Sequence, residues 1–484
     1  MKKILTVLLL VAGSHSFAQQ VNPGGGCATI PNQQTIERIY DFVQHNPAAY
    51  AAKGTAVVDT IPLSVHIVGD NNGDGYYQLT DLFKVICQLN QRFSPVGFYY
   101  YVKWPIHYIN NSDYYEHNYF SGDQMMATNN IPNSVNVYFV NDPAGACGYY
   151  TYGQDAVAIK KSCSGNNSTT LTHELGHFFS LPHTFNGWEG GTTPLNPEVV
   201  RRTGPGANCS SSGDGFCDTD ADYIADRWNC PRTIARTDIL GDSYRVDSSL
   251  YMSYSLDACQ SRFSNQQINA MQYDLHNFRP DIYNRPVPAH SPMALSTVVY
   301  PNDTMYSNLQ KITWKKMPGA EYYYVRVSFT LLPSLNKQVT FTADTSLTIN
   351  FPLIENVDYL VTIAPVNAFD FCLNKVLTDT FAYTSAAGPV NVGLINNEEK
   401  GIRLYPNPLM SGSGLDIRFA GLPADNYQVQ ITNMAGAVVY QTSVKTTGGI
   451  ETRKLAIPSL TNGVYFVRCS SAQLQHSQKL VIAY

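Results

Sequence analysis

The sequence predicts a multidomain chain, with one domain of mixed α/β (α+β) character followed by two all-β sandwich domains. Three observations carry this expectation. At 484 residues the chain is too long for one ordinary core, so two to four domains are expected. Helix-period and strand-period segments are interleaved up to about residue 285, and only strand-like segments follow. Prolines clustered between Pro280 and Pro292 mark a linker where the character changes.

Composition narrows the classes. Charged residues make up 14% of the chain, the net charge is −5, and no long basic run occurs, which argues against a nucleic-acid partner. The 33 tyrosines against 32 lysines and arginines suit short strands and an extracellular surface. At the N-terminus, Lys2 and Lys3 precede an apolar run from Ile4 to Ala12, then Ser16-Phe17-Ala18 offers small residues for cleavage. This reads as a signal peptide over 1–18, too short for a stable membrane span, and no other stretch is long and apolar enough for one. All ten cysteines lie beyond the cut, in a compartment that permits disulfides.

Residues 19–56 are Gly-rich and then helix-like, and read as a pro-segment. The first domain, 57–285, opens on a strand in which Leu63, Val65 and Ile67 alternate. Leu79, Leu82, Phe83, Ile86, Leu89 and Phe93 then form a helical stripe. Strands are expected at 134–140 and 155–159, and Cys147 and Cys163 flank a strand pair that a disulfide could close. In 286–395, Trp314 and the alternation from Tyr322 to Val327 resemble a fibronectin type III or similar β-sandwich. In 396–484, Tyr405-Pro406-Asn407-Pro408, Gly436 in a hairpin turn, Gly463-Val464-Tyr465 and a terminal strand resemble the C-terminal sorting domain of type IX secretion in Gram-negative bacteria. That resemblance implies export through the periplasm by the type IX machinery, to the exterior or the outer cell surface.

The chemistry concentrates at "LTHELGHFFSLPHTF" (171–185). His173 and His177 lie one helical turn apart, so two imidazoles can reach one Zn²⁺ at ~2.0–2.1 Å. Glu174 adjoins a ligand and can instead take a proton from a zinc-bound water. His183 supplies a third ligand, with Ser180 where the long zinc motif has glycine. A non-glycine residue in the left-handed conformation costs about 1–2 kcal/mol. Closed zinc sites are worth about 10–16 kcal/mol, so the strain is affordable. Pro182 also disfavours helix at Leu181, so the helix must stop near Ser180 regardless. The flanks supply Ser168 or Thr169 as N-caps, and the rival third ligands Glu189 and Glu198 lie in a Gly/Pro-rich stretch that is not helical.

With these residues the region 60–280 resembles the pappalysin family of metzincin metallopeptidases. The resemblance places Met252 in a Met-turn beneath the zinc, makes Tyr254 a stabiliser of the oxyanion, and implies interlaced bridges Cys209–Cys230 and Cys217–Cys259. The chain departs from the family at Ser180 and at Leu256, where the family often has an acidic residue. Asp257, five residues past Met252, falls where a metzincin floors the pocket for the residue after the scissile bond, and would favour Lys or Arg there. Asp214, Asp218, Asp220 and Asp222 are candidate Ca²⁺ ligands, and Asp70, Asn72, Asp74 and Asp81 stand at EF-hand offsets. Cys27 is a candidate latency thiol for the fourth zinc position. The expected function is a secreted zinc endopeptidase acting on proteins or peptides. The competing class is a cell-surface binding or adhesion protein with a vestigial zinc site.

Overall fold

The computed structural model describes residues 26–29, 32–44, 58–165, 167–189, 193–223, 230, 235–386, 401–407, 409–410, 414–434, 436–471 and 475–483. The expected signal peptide 1–18, much of the pro-segment and Pro408 lie outside the described residues. The chain forms two compact units, 1–386 and 387–484.

The first unit begins with helix α1 (Gln33–Gln44) and is organised around strand β1 (Asp59–Gly69). Every residue of β1 from Ile61 to Gly69 is buried, although alternation was expected. The reason is that β1 is a central strand with parallel neighbours on both sides, so both faces are covered. Ser64 and His66, which break the apolar pattern, are hydrogen-bonded to Ser134 (2.7 Å) and Asn136 (3.0 Å). Helix α2 (Leu79–Phe93) follows and buries Leu82, Phe83, Ile86, Leu89 and Phe93, as its stripe requires. Strands β2 (Phe98–Val102) and β3 (His107–Asn110) pair with successive halves of β1.

Helix α3 (Tyr119–Asn129) then leads to β4 (Val135–Val140), β5 (Gly148–Thr151) and β6 (Ala156–Lys160). The sheet order is β2–β1–β4–β6–β5, parallel except for β5, which runs antiparallel at the edge. Cys147 and Cys163 are bridged across this hairpin, Cα–Cα 5.5 Å. Helix α4 (Thr170–Phe178) packs on β5, β6 and α2, and α5 (Asn265–Phe278) starts from a capping box of Ser264 and Gln267.

The two bridges implied by resemblance are corrected. Cys209 pairs with Cys217 (Cα–Cα 5.1 Å) and Cys230 with Cys259 (5.8 Å), so the bridges follow one another instead of interlacing. A short turn at Cys209–Ser211, then Gly213 and Gly215 at positive φ, folds the chain back within the eight residues that separate the first pair.

After residue 293 the unit is all β. Strands β7 (Val298–Tyr300), β9 (Lys311–Trp314) and β12 (Ser346–Thr348) form one sheet. Strands β8 (Asp303–Tyr306), β10 (Tyr322–Phe329), β11 (Leu332–Thr342), β13 (Asp358–Val366) and β14 (Leu377–Thr384) form a second, in the order β8–β14–β13–β10–β11. Trp314 and Leu347 from one sheet and Tyr323, Val325 and Val361 from the other share a core. That core is the sandwich's own, but other sandwich residues join the preceding region across the expected boundary at 285/286. Tyr324, Ala364, Val366 and Phe371 belong to the same apolar cluster as Phe83 and Leu89 of α2. Trp104 lies 4.7 Å from the Tyr322 ring, Val102 N donates to Ala368 O at 2.9 Å, and Cys87 is bridged to Cys372.

The second unit contains a three-stranded sheet and a five-stranded sheet around their own core, with Ile402, Ile417 and Phe419 from the first and Tyr427, Val429, Val467 and Leu480 from the second. Asn407 pins the last strand (Gln475–Ala483), donating to Lys479 O (2.7 Å) and accepting from Val481 N (2.9 Å). Gly436 makes the expected turn at φ 79°.

Candidate metal centre and cleft

Helix α4 sets the site. Leu171, Leu175 and Phe178 fix it in the main core, and His173 and Glu174 line the cleft while His177 lies fully buried one turn on. Its N-terminus is held otherwise than expected. Thr169 is the cap residue but makes no side-chain cap bond. Instead Asp257 Oδ1 accepts from Thr169 N (3.2 Å) and Oγ1 (2.6 Å), while Ser168 Oγ accepts from Thr170 N at 3.3 Å.

At the other end the helix stops at Phe178, and Ser180 takes φ 66°. Leu181 N bonds to Gly176 O (3.0 Å) and Ser180 N to His177 O (2.9 Å), the paired bonds of a Schellman turn with serine in glycine's place. The turn delivers His183. The Ser180 hydroxyl, unavailable to a glycine, donates to Asp274 Oδ1 at 2.6 Å.

The three imidazoles converge. His177 Nε2 lies 3.2 Å from His173 Nε2 and 3.1 Å from His183 Nε2. Each ring's Nδ1 meets an oxygen: Tyr251 O at 2.6 Å for His173, Leu181 O at 2.7 Å for His177, and Glu189 Oε1 at 3.2 Å for His183. With acceptors at each Nδ1 the protons sit there, so three Nε2 lone pairs face one point, an arrangement suited to a metal cation. Burial favours the neutral rings, lowering the pKa of His173 to about 4 and that of His177 well below the usual range. Tetrahedral Zn–N bonds of ~2.0–2.1 Å put nitrogens about 3.3 Å apart, so the residues fit zinc. Cys27 Sγ joins the three histidines, with all four donor atoms within 4.8 Å of one another.

Glu174 is fully buried, and burial raises its pKa to about 8 against the opposing hydrogen bonds of Cys27 and Thr29. Its Oε2 accepts from Cys27 Sγ (3.3 Å) and lies 3.2 Å from Thr29 Oγ1. Its Oε1 has no partner among the described residues. A Cβ on Gly148 would stand 3.0 Å from Glu174 Cγ, so the edge strand needs glycine there. The same strand binds the segment 26–29, in which Ala28 N donates to Gly148 O (3.1 Å) and Thr29 Oγ1 accepts from Tyr150 N (2.7 Å).

Met252 lies under α4, where a Cβ on Gly176 would fall 2.3 Å from its Sδ. The Tyr254 ring is 5.0 Å from that of His183, and its hydroxyl donates to Cys27 O. Asp257 and the Cys147–Cys163 bridge line a cleft of about 430 Å³ together with His173, Glu174 and Tyr254. Sequence reasoning set Glu189 aside as a ligand; it is instead the partner that orients His183. It also missed Thr29, Gly148 and Gly176, whose roles depend on strand and helix contacts.

The four aspartates considered for calcium do not gather. Asp218 caps α5, accepting from Ser264 Oγ (2.7 Å) and Gln266 N (2.8 Å), and Asp220 is exposed. Asp222 Oδ2 accepts from Thr184 and Ser253 at 2.7 Å each. Asp214 is buried beside Glu198 instead, and Asp214 Oδ2 and Glu198 Oε2 are without partners among the described residues. Burial and then Glu198 push Asp214 well up; burial raises Glu198 to about 8 although Arg202 opposes it. In the EF-like loop Asp70 Oδ1 accepts from Asn72 N (2.8 Å) and Asp74 N (2.9 Å), and the Lys161 ammonium takes the Gly75 carbonyl.

Comparison with known proteins points to the same chemistry. Residues 149–276 match the family described as pregnancy-associated plasma protein-A, and residues 403–483 match the secretion system C-terminal sorting domain. The chain is similar to an extracellular metalloprotease of Colletotrichum graminicola, 26% identical over 309 residues that cover 58% of this chain and 100% of the relative. It is also similar to an extracellular metalloprotease of Arthroderma benhamiae, 28% identical over 312 residues covering 60% and 98%. Among solved structures, a mutant of promirolysin from Tannerella forsythia covers 54% of this chain and 97% of its own, at 18% identity and a TM-score of 0.39.

A helix that turns three lone pairs on one point therefore belongs, in this chain, to a zinc metalloendopeptidase exported from the cell. Residues 149–276 match the pregnancy-associated plasma protein-A, or pappalysin, family model, and the sorting domain directs type IX secretion to the outer surface or the exterior. Among the described residues no helix is long and apolar enough to cross a membrane.

Proposed function

We propose that the chain is made as a latent endopeptidase and that His173, His177 and His183 hold its zinc, with Glu174 as general base. The observation that carries this is the convergence of three Nε2 atoms beside a buried carboxylate, with Cys27 Sγ at the fourth place. Zinc held by these three imidazoles would supply Lewis-acid polarisation of the scissile carbonyl and of the attacking water. Glu174 takes the proton of that water and passes it to the leaving amine. The Tyr254 hydroxyl, which here donates to a backbone carbonyl, is suited to donate to the oxyanion once the segment has left. Asp257 lines the cleft and both of its helix-capping bonds use Oδ1, which supports a preference for Lys or Arg after the scissile bond.

Residues 19–56 are the pro-segment in this reading. Cys27 Sγ fills the space beside Glu174 and the three histidines that a water would need, which supports removal of the segment as activation. The domain assignment that goes with it is peptidase over 57–285, fibronectin type III-like sandwich over 286–395, and sorting domain over 396–484. A calcium ion is supported by the orphan oxygens of Asp214 and Glu198, in place of the four aspartates together.

The test is cleavage of a peptide library after release of the pro-segment, with Glu174→Ala as control. Cleavage by the wild type alone, abolished by chelator, is expected, with Lys or Arg following the cut and that preference lost in Asp257→Ala. Cys27→Ala should be active without processing. A folded, zinc-loaded wild type that cleaves nothing would favour the surface-binding protein instead.

A further inference from the structure

A second polar site, none of whose residues lines the cleft, lies where α4 ends. Asp274 of α5 is its centre, with a side chain only 3% exposed. Arg279 Nε donates to Asp274 Oδ2 (2.7 Å) and Arg279 Nη1 to Asp155 Oδ2 (2.8 Å). The Arg279 guanidinium also lies 3.7 Å from the Phe178 ring centre. Asp274 Oδ1 faces the other way, accepting from Ser180 Oγ (2.6 Å) and from Arg38 Nη1 of α1 (3.2 Å). The same Arg38 nitrogen is 3.2 Å from Ser180 Oγ.

The charges decide what the site wants. With Arg38 in place, two guanidinium groups face two carboxylates. Without it Arg279 alone faces both Asp155 and Asp274, and a nearly buried carboxylate oxygen loses its cation. Such a niche favours a cation entering beside Ser180, and Arg38 fills it through one guanidinium nitrogen that reaches both Ser180 Oγ and Asp274 Oδ1. The rest of α1 fits the same wall. Ile39 and Phe42 are buried in the main core, the Phe42 ring is 5.7 Å from Tyr273 and 6.4 Å from Phe216, and Tyr273 OH donates to Asp41 Oδ2 (2.5 Å). Arg38 also stands 5.0 Å over the Phe278 ring.

We propose that Ser180 and Asp274 form a guanidinium-binding site, distinct from the metal centre, that captures Arg38 and retains the pro-segment after the chain between α1 and β1 has been cut. The inference rests on reading 19–56 as a pro-segment. Under it the segment has two grips, one at Cys27 and one at Arg38, joined by a short span, so while either holds, the other stays at high local concentration and rebinds. A single cut is then not activation; the severed segment must also be lost from this niche. Ser180, where the family motif has glycine, becomes the residue that links the end of the zinc helix to the inhibitor.

The test places a cleavable site within 46–56 of the full chain, cuts it, and follows the severed segment by native mass and peptidase activity after dilution. Arg38→Gln is expected to shorten retention about tenfold, less than for a fully buried pair because Arg38 is a quarter exposed. Arg38→Lys should fall between, and Arg38→Gln in a Ser180→Gly background should lose less than in the wild type. Wild-type retention in Arg38→Gln, or effects of the two changes that simply add, would overturn the proposal. Should activity appear on cutting while the segment is still bound by mass, the pro-segment reading fails and the mass data still judge the Arg38 site. Should Cys27→Ala relieve latency while Arg38→Gln changes nothing, the reverse holds.

Discussion

Replacing Ser180 by the glycine of the family motif should destabilise this protein. Serine at φ 66° carries the left-handed strain of a side chain, so glycine relieves about 1–2 kcal/mol. Against that stands the hydrogen bond from Ser180 Oγ to Asp274 at 2.6 Å, buried at both ends, and bonds to a charged group contribute about 1.5–3 kcal/mol. Glycine also enlarges the unfolded ensemble, at about 0.4–1 kcal/mol. The balance is a loss of about 1–2 kcal/mol, or about 1–3 °C in Tm for a unit of this size. Ser180→Ala keeps the strain and loses the bond, so the expected order of stability is Ser, Gly, Ala. Thermal unfolding at saturating zinc reads it, since metal bound to the folded state must be held constant. A glycine variant as stable as the wild type, or more so, would refute the reasoning by showing that the hydroxyl contributes less than the backbone costs.

Gly176→Ala drives a methyl to 2.3 Å from Met252 Sδ, and overpacking of this kind costs about 1–3 kcal/mol. Urea unfolding should show that loss, and Met252→Ala should recover part of it; an additive double variant would discount the contact. Replacing both Cys87 and Cys372 by alanine opens a loop of 285 residues, with an entropic ceiling of about 5–6 kcal/mol and an expected loss of about 2–4 kcal/mol. Peptidase activity and the fluorescence of Trp104 should disappear in one transition, whereas a peptidase midpoint unchanged by the substitution would show separately folding parts. Glu198, raised to about 8 when folded against an ordinary 4.5, keeps its proton longer in the folded state. Its contribution is therefore full below about pH 4.5 and is lost as pH rises to about 8. Calcium should raise Tm more at pH 8 than at pH 5, and an equal shift at both would remove the Glu198–Asp214 pair as the site.

The parts of this molecule that were legible in the sequence are those whose geometry is local. His173 and His177 are one turn apart, and Pro182 stops their helix whatever lies around it, so the metal site could be read from a few residues. Met252 and Asp257 came through resemblance and Cys27 from its place in a leader; Met252 lies under α4, while Cys27 and Asp257 line the cleft. What could not be read involves partners far apart in sequence. Glu189 was weighed only as a rival ligand and set aside, because nothing local shows that His183 turns its other nitrogen towards it. Glu198 meets Asp214, and Arg38 meets Asp274, across spans on which spacing has no bearing. The cysteine pairing failed for a related reason, because two glycine turns decide which thiols meet. Alternation in β1 misled because a central parallel strand is covered on both faces.

The shared core across residue 285 bears on how the protein is made. A chain emerging from its N-terminus presents Phe83, Cys87 and Trp104 long before Tyr322, Phe371 and Cys372 exist to cover and bridge them. The peptidase half therefore has no finished interior while it is being synthesised, and must wait for nearly three hundred further residues. Chain connectivity itself thereby ties completion of the peptidase interior to synthesis of the sandwich that covers it.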